Sequence, residues 1–168
     1  MTSPHTQTPQ APAPTAAYAR SLPRAAEAFL AHTHPRAPLR LDRVTLHGVT
    51  YAAAPDPAAL RLTRALAEEV VMVALAPAEA AHLSGTPTPD GGRDARMLLD
   101  CALTDPDERD TLDAYLSVLR GRTRARLRRA WTEIEVLAAG LREHGELDAA
   151  QVAHRVACAQ GIRASLLN

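Results

Sequence analysis

Pro23-Arg24-Ala25-Ala26-Glu27-Ala28-Phe29-Leu30-Ala31-His32 decides how this chain is read. Alanine is the strongest helix former, and no β-branched residue interrupts the stretch. It predicts a helix from Leu22 to His32, with Pro23 in the opening turn, where its missing N–H is no loss, and His34-Pro35 as the stop. Beyond it, Leu39, Leu41, Val44, Leu46 and Val49 are mixed with Arg40, Asp42, Arg43, Thr45 and His47. With Gly48 as a break, this predicts one or two short strands within 39–51. Pro55-Asp56-Pro57 reads as a turn that starts the next helix, Ala58 to Leu83, interrupted or kinked at Pro77. Ser84 to Gly92 is a loop by composition, and Asp94 opens a short helix to about Leu103. Thr104-Asp105-Pro106-Asp107-Glu108 is a helix start, with acids near the positive end of the dipole. Leu112, Leu116, Leu119, Thr123, Leu127, Ala130, Ile134, Leu137 and Leu141 then recur at helical spacing, as one helix or two in line with a weak point at Gly121. Asp148 begins a last short helix, Leu147 to Ala159.

In the other direction, prolines at 4, 9, 12 and 14 sit among Thr, Gln and Ala. Such a segment buries too little to offset its ordering entropy, so residues 1–20 are expected to be a disordered tail and 21–168 a single domain. Aromatics are only 3% of the 168 residues, and Ala and Leu supply most of the apolar content, which favours packed helices over a β-sandwich. Basic and acidic residues balance at 19 each, which argues against a chain-wide electrostatic footprint for nucleic acid. All the basic residues are arginine. Cys101 and Cys158 form no Cys-x-x-Cys pair and read as free, buried thiols of an intracellular protein. No secretory signal pattern and no membrane-length apolar run is present, so a cytoplasmic setting without a membrane partner is expected.

Three segments carry more than composition. The helix over 23–32 leads to Arg43-Val44-Thr45-Leu46. Then comes Leu75-Ala76-Pro77-Ala78-Glu79-Ala80-Ala81-His82-Leu83-Ser84-Gly85, and then Gly91-Gly92-Arg93-Asp94-Ala95-Arg96-Met97. In this order, and with Ile134-Glu135-Val136-Leu137-Ala138 and Gly145-Glu146-Leu147 behind them, they resemble the peptidase M41-like domain that follows the ATPase module in FtsH-type proteases. The resemblance implies a mainly α, helical metallopeptidase-like domain with a small β element. It also implies a zinc helix of the type His-Glu-x-x-His at the first segment, and an aspartate ligand in the third. Counted back from Ala31-His32, the first histidine falls on Pro23, the glutamate on Arg24 and the second histidine on Glu27. Proline cannot ligate a metal, and arginine has the wrong charge for the base that deprotonates metal-bound water. Asp94 alone keeps its residue type, as a vestigial ligand. Proline at the first ligand position further implies that the helix begins later or differently. There is no Gly-x-x-x-x-Gly-Lys-Ser/Thr segment for an ATP-driven motor. The expectation is a pseudopeptidase without catalytic residues or bound cofactor, acting by binding a protein.

Two alternatives remain from the residues. A zinc peptidase with atypical ligands would draw on Glu27, His32, His34 and Asp94. A helical nucleic-acid-binding module would use the Arg120–Arg129 face, with Arg122, Arg126 and Arg129 on one side and Arg120, Arg124 and Arg128 on the adjoining one. Against the latter stand the missing aromatic interleaving and the ordinary fate of such faces, pairing with nearby acids. Glu79-x-x-His82 has the spacing of a di-iron ligand pair but lacks a second copy. Cys101 reads as core, beside Met97, Leu98 and Leu99. Trp131 reads as a half-buried packing residue. The long apolar helix faces serve the core first and a homo-oligomer second.

Overall fold

The computed structural model describes residues 15–34, 39–53 and 56–166. Along them run α1 (Ala16–Thr33), β1 (Leu41–Thr45), β2 (Val49–Tyr51), α2 (Pro57–Leu62), α3 (Arg64–Ser84), α4 (Ala95–Ala102), α5 (Pro106–Asp110), α6 (Leu112–Arg129), α7 (Trp131–His144), β3 (Glu146–Asp148) and α8 (Ala149–Leu166). The fold is mainly α with a small β element.

The central element is α3. Every residue from Val70 to Pro77 is buried, as expected of a helix that is apolar all round. Helix α1 packs on one side of it, and α4 and α6 on the other. Two apolar clusters follow. The larger joins α1 (Leu22, Ala26, Leu30), Val70 and Val73 of α3, Ile134, Leu137 and Leu141 of α7, and Val152 and Val156 of α8. The smaller joins Val71 and Leu75 to Leu99, Leu103, Leu116 and Leu119. The sheet is antiparallel, in the order β2-β1-β3. Val44 lies opposite both Val49 and Leu147, and Val44 and Leu147 are buried in the larger cluster.

Several element boundaries differ from the sequence expectation, each for a physical reason. Helix α1 begins at Ala16, so residues 16–20 belong to a helix and not to a tail; residues 1–14 lie outside those described. The side chain of Thr15 accepts from the Tyr18 N–H at 3.3 Å and caps the added turns. Pro23 is therefore interior and buried rather than in the opening turn. The break after Ala58 falls at Thr63, which is extended, while Pro77 sits inside α3. In the long pattern the break falls at Ala130, not Gly121. There the chain changes partners: α6 packs mainly on α3, whereas α7 packs on α1 and α8.

Leu147, expected in the last helix, is in β3. Gly145 at φ 78° turns the chain out of α7, and Leu147 then pairs with Val44. Asp148 and Gln151 close a reciprocal cap, Gln151 N–H to Asp148 Oδ1 at 2.8 Å and Asp148 N–H to Gln151 Oε1 at 2.9 Å. From that cap α8 continues to Leu166. Cys101 and Cys158 are free, as expected, but both are exposed. On α4 the buried face runs through Leu99 and Ala102, which turns Cys101 outward.

Two glycines make opposite predictions in urea unfolding. Gly145→Ala should lower stability by about 1 kcal/mol, because alanine resists the left-handed conformation. At Gly121 an added Cβ meets nothing within 4 Å, so Gly121→Ala should raise stability by about 0.5–1 kcal/mol.

Candidate functional site

Helix α1 is buried from Ser21 to Ala31, and two of those residues are charged. Arg24 is 3% exposed and Glu27 4%. One helical turn apart, they form an ion pair, Arg24 Nη1 to Glu27 Oε2 at 3.3 Å. The Tyr51 hydroxyl, at the end of β2, donates to Glu27 Oε1 at 3.0 Å. Arg24 Nη2 donates to the Asp90 carbonyl at 2.7 Å. The Arg93 guanidinium lies over the Tyr51 ring, 4.1 Å from its centroid. Burial pushes the Glu27 carboxyl above its ordinary pKa, against the opposing pull of Tyr51, Arg24 and Arg93. Burial and the neighbouring Glu27 also raise the Tyr51 phenol, which keeps it a proton donor.

This cluster joins α1, β2 and the 90–93 loop, and its Arg24 and Asp90 line a cleft of about 510 Å³. Ala16, Ala19, Arg20 and Arg24 form one wall, Leu46 and His47 of the β1–β2 turn another, and Pro87 to Asp90 a third.

The residues that the resemblance assigns to zinc do not fit the ion. Pro23 is buried and has no donor atom. Both Glu27 oxygens are engaged, by Arg24 and Tyr51. Asp94 is exposed and accepts from the Met97 N–H at 3.1 Å, as the cap of α4. Its neighbour Arg93 is the side chain that this loop adds to the cluster, beside the Asp90 carbonyl. Nor do the atypical ligands assemble: His32 is exposed, and His34 belongs to a different network. Among the described residues no three or more His, Cys, Asp or Glu side chains form a group that could hold a metal ion. Sequence reasoning missed Tyr51, Arg93 and the Asp90 carbonyl. Arg93 stood one residue from a quoted position, but nothing local to Tyr51 marked it as a partner of Glu27.

His34, just past α1, has Nδ1 3.2 Å from Glu69 Oε2 of α3, and its Nε2 is 2.5 Å from Arg126 Nη1 of α6. Arg126 can only donate, so Nε2 accepts and the proton sits on Nδ1. Burial, and then the Arg126 charge, lower the His34 pKa to about 4.

Three other α6 arginines, Arg120, Arg122 and Arg124, are matched by acids of α3, while Arg128 and Arg129 are exposed. Arg122 Nη1 contacts Glu68 Oε2 at 2.8 Å, and Glu68 also accepts from the Tyr115 hydroxyl. Arg124 Nη1 reaches Glu79 Oε2 at 2.7 Å, and Arg120 Nε lies 3.8 Å from Glu79 Oε1. Glu79 is buried and His82 exposed, so they do not share a site. Arg129 is exposed, and its carbonyl accepts from Arg163 at 2.8 Å. Trp131 is half-buried against the larger cluster, and its indole N–H donates to Glu135 at 3.1 Å.

No protein-family model matches the chain, and no curated protein matches it. Among the described residues no helix is long and apolar enough to cross a membrane.

Removing one member of the buried pair strands the other. Glu27→Ala should therefore cost about 3 kcal/mol in urea unfolding, and the double change Arg24→Met with Glu27→Leu much less. His34 makes a pH prediction. The unfolded chain takes up its imidazole proton near 6.5 and the folded chain only near 4, so stability should fall as pH drops through that window. Glu27 works the other way, since its raised pKa favours folding at acid pH and is lost as pH rises. His34→Gln should flatten the histidine limb in urea midpoints taken across it.

Proposed function

We propose that this chain is a pseudopeptidase, a peptidase M41-like domain that has given up hydrolysis and acts by binding a protein segment in the cleft over Arg24. The observation that carries the reading is the Arg24–Glu27 pair sealed by Tyr51. At the positions where the resembled family binds zinc, this chain has an internally paired polar cluster, and the cationic Arg24 stands where that family has its base. The cleft beside it remains open and mixes apolar walls (Ala16, Ala19, Leu46, Pro87) with Arg20 and His47. That combination suits an extended peptide with small apolar side chains and a nearby acid. A cytoplasmic setting belongs to the same proposal, and two free exposed thiols agree with it. The nucleic-acid alternative draws less support, because Arg122 and Arg126 of its named face are paired with Glu68 and His34, which leaves the exposed Arg129 as the remaining member.

Zinc titration and peptidase assays on casein test the loss of chemistry. We expect no cleavage and no tightly held ion that depends on Asp94; a tight ion lost in Asp94→Ala, together with cleavage, would overturn the proposal. Fluorescence anisotropy with labelled casein peptides tests the binding. Arg20→Glu and Ala16→Trp, both at exposed positions, should weaken the peptide complex about tenfold or more. Affinity unchanged in both variants would remove the cleft from the reading.

A further inference from the structure

Helix α8 carries two donors, a thiol and an imidazole, that do not line the cleft. His154 and Cys158 are four residues apart, which places them on one helix face. Both are exposed. The Cys158 Sγ lies 3.6 Å from His154 Nε2. A tetrahedral zinc ion holds sulfur at about 2.3 Å and imidazole nitrogen at about 2.0–2.1 Å, so the edge joining two such donors is about 3.6 Å long. The pair is already spaced as that edge.

The surroundings leave room for the rest of a coordination sphere. The two side chains line a concavity of about 430 Å³ with Val136, Gln151 and Arg155. Gln151 is tied to the Asp148 N–H, so it is not free to compete. Arg155 is the arginine among the described residues of the lining. Its guanidinium is laid against Gly140 of α7, 2.7 Å from where a Cβ would stand, and its Nη2 is 3.9 Å from Glu143. The carboxylate thus offsets the charge that would repel an ion.

We propose that His154 and Cys158 form a two-residue chelating site for a thiophilic divalent cation, zinc being the reference case. The neutral imidazole binds through the Nε2 lone pair, and the thiol binds as thiolate. Each ion taken up therefore releases one proton to solvent, and water fills the open positions. The site does not depend on the reading of the cleft, and it predicts that zinc uptake by this chain traces to α8.

The full chain is titrated with zinc against a chromophoric chelator, and with cobalt as a spectroscopic probe. Expected are about one equivalent of zinc, the release of about one proton, and a thiolate-to-cobalt charge-transfer band in the near ultraviolet. Cys158→Ser should abolish the band, and His154→Ala should weaken zinc binding about tenfold or more. Cys101→Ser and Asp94→Ala should change neither. Both α8 positions are exposed, so the variants test ligation rather than folding. Absence of zinc uptake would overturn this site alone. Zinc kept by the His154→Ala, Cys158→Ala double variant but lost in Asp94→Ala would place the ion at Asp94, overturning both this site and the pseudopeptidase reading.

Discussion

A helix buried on every side can carry acid only where a neighbour brings the opposite charge or a hydrogen bond. That constraint acts on α3. Its middle is wholly apolar, but Glu68 and Glu69 precede that stretch and Glu79 follows it. Arg122 and Tyr115 meet Glu68, the Glu69 charge acts on Arg126, and Arg124 and Arg120 meet Glu79. Ion pairs of this kind roughly break even against apolar packing, so they add little net stability. Their effect is on register. A slip of α6 along α3 would leave a buried carboxylate without its cation, which is a far larger penalty than the pair's own worth. Arg120, Arg122 and Arg124 of the α6 run have their explanation here.

The same rule governs α1. Arg24 and Glu27 are among the most buried charges in the described structure, and each is tolerable only because the other is present. Tyr51 and the Asp90 carbonyl take up further hydrogen-bonding capacity. The cluster therefore ties the sheet and the 90–93 loop to α1 and holds Arg24 in the cleft lining. A metal centre needs donors with free lone pairs converging on one point. Here the donors converge on one another, so the polar groups stabilise the backbone arrangement around the cleft.

Much of the fold was legible in the chain. Helical spacing marked α3, α6 and α7, and alternation marked β1 and β2, because in each the apolar period reports the face turned to the core. Asp94 and Asp148 were legible as helix starts, since capping is a local interaction. Legibility failed where the deciding partner was distant in sequence. Leu147 reads as helix until Val44 is placed opposite it. Gly121 looks weaker than Ala130 until the change of packing partners from α3 to α1 and α8 is known. Cys101 looks apolar by its neighbours, but Leu99 and Ala102 set the buried face of α4. At the site, Arg24, Glu27 and Asp94 could be singled out by position, whereas Tyr51 and Arg93 could not.

By itself, then, the sequence determined the helical class, the small sheet, and the absence of imidazole and carboxylate at Pro23 and Arg24. These are facts of composition and short-range periodicity. Only the tertiary structure decided what Arg24 and Glu27 do. Whether Arg24 and Glu27 are solvated or locked, and whether the α6 arginines face solvent or α3, depends on burial. Burial sets the local dielectric, and with it which charges must find partners. That is a property of the packed chain and not of any segment read alone.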